Sequence, residues 1–142
     1  MTREEIQAFV DRFVKAWAAE DIEALLPCYD DQAELTSPLL HTQRGIEAIE
    51  RVHQDLFLAF SNVEVEVHDI VIDTAEQRAV LVMTIHFTQA GEFLGFPASG
   101  RRGANQMAFV LHFKGGRIIS ERRLYDYGGF LMQLGVLKAR SV

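Results

Sequence analysis

Two side chains in the last third of the sequence are of types that could move a proton. Asp126 follows Leu124-Tyr125 and precedes Gly128-Gly129, which places a carboxylate where a strand gives way to a helix. At the mouth of a pocket with apolar walls, such a group can exchange protons with a carbon acid or a carbonyl oxygen. Equally, it can cap the helix that follows by accepting its first amide hydrogens, a contribution of about 1 kcal/mol. His112 lies on the preceding strand, a polar insertion among Phe109, Val110, Leu111 and Phe113. It is either a proton-handling group near neutral pH or a packed structural histidine. A two-residue turn at Gly115-Gly116 pairs Lys114 with Arg117 and therefore His112 with Ile119. Parity then groups His112 with Ile119, Glu121, Arg123 and Tyr125 and leaves Asp126 on the other side. The two can meet only if a bulge or another turn length shifts the register by one.

The other histidines suggest less. His53 lies on the apolar side of a helix and could reach a central cavity or simply pack. His86 shares a face with Thr84 and Thr88, His68 alternates with Glu64 and Glu66, and His41 reads as loop. No HExxH, paired CxxC, GxGxxG, GxxxxGK[ST] or GxSxG occurs, so no metal, nucleotide or other cofactor is expected. Cys28 follows Pro27 in an apolar setting that suits a buried, inert thiol, and Arg101-Arg102 reads as a solvated pair unless it steers an acidic substrate.

The elements that must position these residues follow from periodicity. Thr2 and Glu5 have capping-box spacing, and Ile6, Phe9, Val10, Phe13, Val14 and Trp17 form one helical stripe. Asp21 can cap a short helix ending before Pro27. A short strand is expected at 33–37 and a third helix at about 46–60. Val63, Val65 and Val67 then alternate with polar residues as in a half-exposed strand, and Ile70-Val71-Ile72 breaks that alternation, which predicts a bulge or a change of burial. Residues 78–88 read as a central strand, 91–102 as a loop punctuated by Gly and Pro, and 106–114 and 117–125 as a hairpin about Gly115-Gly116. A short helix is expected at 130–134. Three N-terminal helices on one face of a strongly curved, mainly antiparallel sheet is an α+β architecture, and such a sheet forms a cone whose open end can hold one small ligand.

The chain has 142 residues, 49% of them hydrophobic, and a net charge of −6. This is one domain's worth of polypeptide, and residues 1–142 are expected to form a single domain. The acidic balance argues against nucleic acid or an anionic membrane as partner. One cysteine allows no internal disulfide. The N-terminus is charged from Arg3 onward with no apolar signal core, and no stretch has the roughly 20 apolar residues of a membrane span. A cytoplasmic protein is expected. Ten phenylalanines are many for this length.

WAAEDIEALLPCY (17–29), GIEAIE (45–50), GEFLGFPASGRR (91–102), FKGGRI (113–118) and YDYGGFLMQLGV (125–136) resemble, in order and spacing, the SnoaL-like polyketide cyclases of the nuclear-transport-factor-2-like superfamily. The resemblance implies the cone-shaped α+β barrel, a deep apolar pocket and frequent homodimers. It implies for Asp126 the acid/base role that the cyclases place at this motif position, and for His112 a partner that polarises the substrate carbonyl. Two positions depart from the pattern: Gln89 stands where many relatives carry His, and Ala98-Ser99 replaces Pro-Thr.

The leading expectation is therefore a cofactor-independent enzyme, a cyclase, lyase or isomerase performing aldol-type ring closure or proton-shuttling isomerisation on an apolar carbonyl compound. Asp126 and His112 would be catalytic, and Phe57, Phe60, Phe93, Phe96, Met107, Phe130 and His53 would line the substrate pocket. The alternative is a non-catalytic binder of an apolar small molecule. The discriminating feature is whether Asp126 and His112 share one cavity; if one points to solvent, the binder gains. Epoxide hydrolysis would need an Asp-Arg-Asp arrangement that cannot be assigned here.

Overall fold

The computed structural model describes residues 1–140. Helix α1 (Arg3–Ala18) starts as its sequence dictates, with the Thr2 hydroxyl accepting from the Glu5 amide at 3.1 Å. It buries the expected stripe, with Val14 half-buried at its margin. Asp21 caps the single turn α2 (Ile22–Leu25), which Pro27 carries into a 3₁₀ turn at Leu26–Cys28. Strand β1 (Tyr29–Ser37) is longer than its pattern suggests, and β2 (His41–Arg44) pairs with it as a hairpin. His41 is thus at a strand end, where polar residues on an edge hid the element from a periodicity argument. Helix α3 (Ile46–Ala59) leads directly into β3 (Phe60–Asp73), followed by β4 (Arg78–Gln89), β5 (Arg102–Lys114), β6 (Arg117–Tyr125) and α4 (Tyr127–Gln133).

The six strands form one sheet in the order β2-β1-β6-β5-β4-β3, antiparallel throughout except for the parallel β1–β6 pair. The break in alternation after Val67 is a register shift between Val67 and Asp69. Helices α1 and α3 lie on the concave face. Phe9 and Phe13 meet Phe113 and Phe109 there in edge-to-face pairs with centroids 4.9 and 6.3 Å apart, geometry favoured by the ring quadrupole. A second aromatic cluster of Phe60, Phe87, Phe93 and Phe130, with centroids 4.9–5.6 Å apart, sits at the α4 end. Apart from the exposed Phe96, the phenylalanines are divided between two cores.

One irregularity decides what faces inward. Lys114 pairs with Arg117 and Phe113 with Ile118, as the Gly-Gly turn requires, but His112 pairs with Ser120. Ile119 is an extra residue in β6, a β-bulge. Without it Ser120, Arg122 and Leu124 would point into the core. With it Glu121, Arg123 and Tyr125 do.

The two departures in the loop motif are partners. Ser99 Oγ donates to Gln89 Oε1 at 2.6 Å, while Gln89 Nε2 donates to the carbonyls of Gly91 and Pro97. Gln89 is buried, so it serves as the internal tie of the 91–101 loop. No helix among the described residues is long and apolar enough to cross a membrane.

Candidate functional site

A cavity of about 80 Å³ opens between the concave face of the sheet, the end of α3, the 37–40 turn and α4. Its walls are mostly apolar: Leu39, Leu56, Phe57, Phe60, Phe87 and Met107 are among them. Polar groups reach it from Ser37, Asn105, Arg123 and Tyr125, and the Trp17 indole also borders it. Apolar walls with a few convergent polar groups are the usual build of a small-molecule site. Its volume is below the ~150 Å³ that admits a benzene ring in an engineered cavity. As it stands, then, a compact polar head would enter and the remainder of a ligand would extend toward the mouth.

Arg123 closes the inner end and is the most elaborately held side chain in the protein. It is 2% exposed and Glu121, two residues earlier on the same face of β6, is 1% exposed. Its Nε donates to Glu121 Oε2 at 2.6 Å and its Nη2 to His53 Nε2 at 2.8 Å. The Tyr29 hydroxyl donates to the other carboxylate oxygen of Glu121 at 2.7 Å. His53 Nδ1 lies 2.8 Å from the Ile49 carbonyl, so Nδ1 carries the proton and Nε2 is free to accept from the guanidinium. The guanidinium also lies over Trp17 and Phe109, 4.9 and 5.0 Å from their ring centres, where the π faces attract a cation. Among the described residues this bonding gives Nη1 no hydrogen-bond partner, so it is the guanidinium nitrogen that remains for a ligand.

The electrostatics follow from burial. His53 is pushed down to about 3, first by loss of water and then by the Arg123 charge, against the pull of the Ile49 carbonyl. It is a neutral acceptor in this network. Burial raises the Tyr29 phenol well above its usual range, helped by the Glu121 carboxylate. For Arg123, burial opposes the charge, but Glu121 and Tyr29 outweigh it and raise its pKa. The Tyr125 phenol is also raised by burial, so it is a proton donor and not a base.

The residues singled out from the sequence fall into three groups. Phe57, Phe60, Met107 and Phe130 line the cavity. Phe93 stands behind Phe60 and Phe130 in the mouth cluster, and His53 lies behind Arg123. Phe96 is 46% exposed, held outside by paired backbone hydrogen bonds with Phe93, so its placement in the pocket wall is corrected. Asp126 and His112 do not share the cavity, and that condition on their pairing is corrected too. The register shift that the pairing required is present, but it puts His112 on the convex face opposite Ser120. Asp126 is six residues beyond Ser120, about 20 Å along the strand. The Asp126 carboxylate is exposed and accepts from the Gly129 amide at 2.9 Å as the N-cap of α4. A Cβ at Gly129 would crowd that carboxylate and require it to shift. Asp126→Ala is accordingly expected to lower stability by about 1 kcal/mol, read by denaturant titration, with ligand affinity unchanged.

Arg123, Glu121 and Asn105 escaped sequence reasoning. For Asn105 the signal existed, since it shares a strand face with Met107, Phe109 and Leu111. For Glu121 and Arg123 it did not, because the bulge at Ile119 leaves no trace in the hydrophobic pattern. Among the described residues no cluster of three or more His, Cys, Asp or Glu could hold a metal ion.

A family model of the SnoaL-like domain matches residues 10–121. No curated protein matches the sequence. Among solved structures, TsrD from Streptomyces laurentii is 26% identical, with 96% of this chain and 99% of that one covered and a TM-score of 0.83. AclR from Streptomyces galilaeus, a proposed hydroxylase, is 22% identical, with 97% and 89% covered and a TM-score of 0.83. A proposed SnoaL-like polyketide cyclase from a Jannaschia species is 20% identical, with 95% and 94% covered and a TM-score of 0.84.

Proposed function

The chain belongs to the SnoaL-like domain family, and from that premise we propose that it binds an apolar small molecule bearing a neutral oxygen acceptor, with that oxygen on Arg123. The observation that carries this reading is a fully buried guanidinium with one amino group left free at the inner end of an apolar cavity. Because Glu121 already balances its charge, an anionic ligand would bring an unmatched negative charge into a region with little water, which is costly. A ketone, ester or amide oxygen brings no such charge, and a bond from a charged donor to it is stronger than a neutral pair.

Catalysis is the second reading, and one observation favours it. A preorganised donor at a carbonyl oxygen is what stabilises a developing enolate or alkoxide, so aldol-type cyclisation or isomerisation could use Arg123 as its electrophilic half. Among the described residues lining the cavity there is no carboxylate or imidazole to take the proton, which is why binding is placed first. The homodimer implied by the resemblance stays part of the proposal. The convex face is the surface a second copy would cover, since Val71, Val80 and Val110 form one apolar row there and Val82, Ala108 and Leu124 another.

The test uses the sole tryptophan, Trp17, which borders the cavity. Titration with cyclohexanone is expected to change its fluorescence saturably. The double variant Glu121→Leu/Arg123→Met, shown to be folded by circular dichroism, is expected to bind at least about tenfold more weakly. Equal affinity in the two proteins would remove Arg123 from the site.

A further inference from the structure

Asn105 is a buried polar residue with no evident structural employment. It is 8% exposed and lies on the concave face of β5, paired across the ladder with Ile85. Its carboxamide borders the cavity and makes no hydrogen bond within the described residues. Buried amides ordinarily have partners, and one without them calls for an explanation. It is not sealed in the wall either: the only fully enclosed side-chain polar atom lacking a partner among the described residues is Trp17 Nε1. The Asn105 amide therefore presents a donor and an acceptor to the same open space that Arg123 reaches.

The ladder sets the spacing of these two groups. Arg123 is opposite Phe109 and Tyr125 opposite Met107, so Asn105 stands two inward positions nearer the α4 end than the Arg123 row. Between their backbones lies roughly 13 Å, bridged by the long guanidinium side chain and a wall formed by Met107, Ile85 and Phe87. The chemistry of the two ends differs. Arg123 can only donate, whereas a carboxamide both donates and accepts, which matches a hydroxyl.

From this we infer that Asn105 is the specificity-determining residue of the cavity, selecting ligands that carry a hydroxyl across an apolar ring or chain from the carbonyl held by Arg123. This rests on the binding site proposed above and narrows its ligand class to neutral hydroxy-carbonyl compounds. Ligands lacking the hydroxyl enter the same cavity but leave the amide unpaired, and discrimination by an unpaired buried group is the stronger kind of selectivity.

The experiment compares cyclohexanone with 4-hydroxycyclohexanone on the wild type and on Asn105→Leu, following backbone amide shifts by NMR. The wild type is expected to bind the hydroxy ketone about five- to tenfold more tightly, the gain from one net hydrogen bond. Asn105→Leu is expected to bind both within twofold of each other and to melt at the same temperature or higher, because an apolar group of similar shape replaces an unpaired amide. A preference that persists in the variant, or is absent from the wild type, overturns the inference while leaving the cavity reading intact. Parallel loss of both ligands, or loss of the fold, would make Asn105 a structural residue and overturn it as well. Failure of both ketones to bind the wild type would remove the cavity reading, and this inference with it.

Discussion

Glu121→Leu is expected to destabilise the protein by about 3–5 kcal/mol, the typical cost of removing one member of a buried ion pair. The cost comes from what is left behind. Arg123 remains enclosed by Trp17, Phe109 and His53, its Nε loses a partner at 2.6 Å, and among the described residues no other carboxylate is bonded to it. The Tyr29 hydroxyl is stranded at the same time. Replacing both charges removes the unmatched ion, so Glu121→Leu/Arg123→Met is expected to be more stable than Glu121→Leu alone and to regain at least about half of the loss. The remaining deficit belongs to Tyr29 and to His53 Nε2, each left without a hydrogen-bond partner at about 1 kcal/mol, the low end of the cost of such a group. Urea midpoints of the three proteins measure this directly. A double variant no more stable than the single one would mean that Glu121 is held for its packing and not for its charge.

The second large effect is acid sensitivity from a histidine that stays neutral in the folded protein down to about pH 3. His53 titrates near 3 when folded and near 6.5 when unfolded. Between those values the unfolded chain binds a proton that the folded one does not, so stability rises with pH across that window and is flat above it. Each pH unit inside the window is worth about 1.4 kcal/mol. The His53 contribution is therefore expected to remove roughly 2–3 kcal/mol between pH 6.5 and pH 4.5. The protein's carboxylates titrate over part of this range, which the variant His53→Gln separates: it keeps a side chain able to accept from Arg123 but has no proton to gain. Its stability is expected to fall less steeply than that of the wild type between pH 6.5 and 4.5. Parallel slopes would show that His53 is protonated in the folded state, and with it the whole polarity of the Arg123 network would have to be reassigned.

The first of these effects centres on residues that the sequence left inconspicuous, and the reason is physical. What binary patterning carries is burial at a regular period, and wherever the period held, the fold was legible: the α1 stripe, the Thr2 and Asp21 caps, the Gly115-Gly116 hairpin and the order of the long strands all follow from it. The resemblance in the loop motif agrees with the family match over residues 10–121 and with the curved sheet. Function-bearing positions break the period. The bulge at Ile119 rotates the rest of β6 by one residue, so that RR in the middle of an apparently exposed stretch delivers Arg123 to the core and Arg122 to solvent. Nothing local in ISERRLY announces this, because the compensating contacts come from Tyr29 and His53 in distant segments. Asp126 illustrates the converse. A carboxylate at a strand-to-helix junction satisfies the rules for a cap and for a catalytic acid equally well, and only the exposure of the side chain and its bond to Gly129 separate the two. Phe96 differs from Phe93 by a tight turn that the sequence spacing alone does not resolve.

In the proposed binding mode a neutral carbonyl oxygen sits on the free amino group of Arg123 at the inner end of the cavity. A crystal structure of the protein soaked with cyclohexanone tests it most directly. Density for the ring is expected on the mouth side of the cavity, against Phe57 and Phe60, with the carbonyl oxygen within about 3 Å of Arg123 Nη1. A ring bound elsewhere, or bound in the cavity with its oxygen turned away from Arg123, would contradict it.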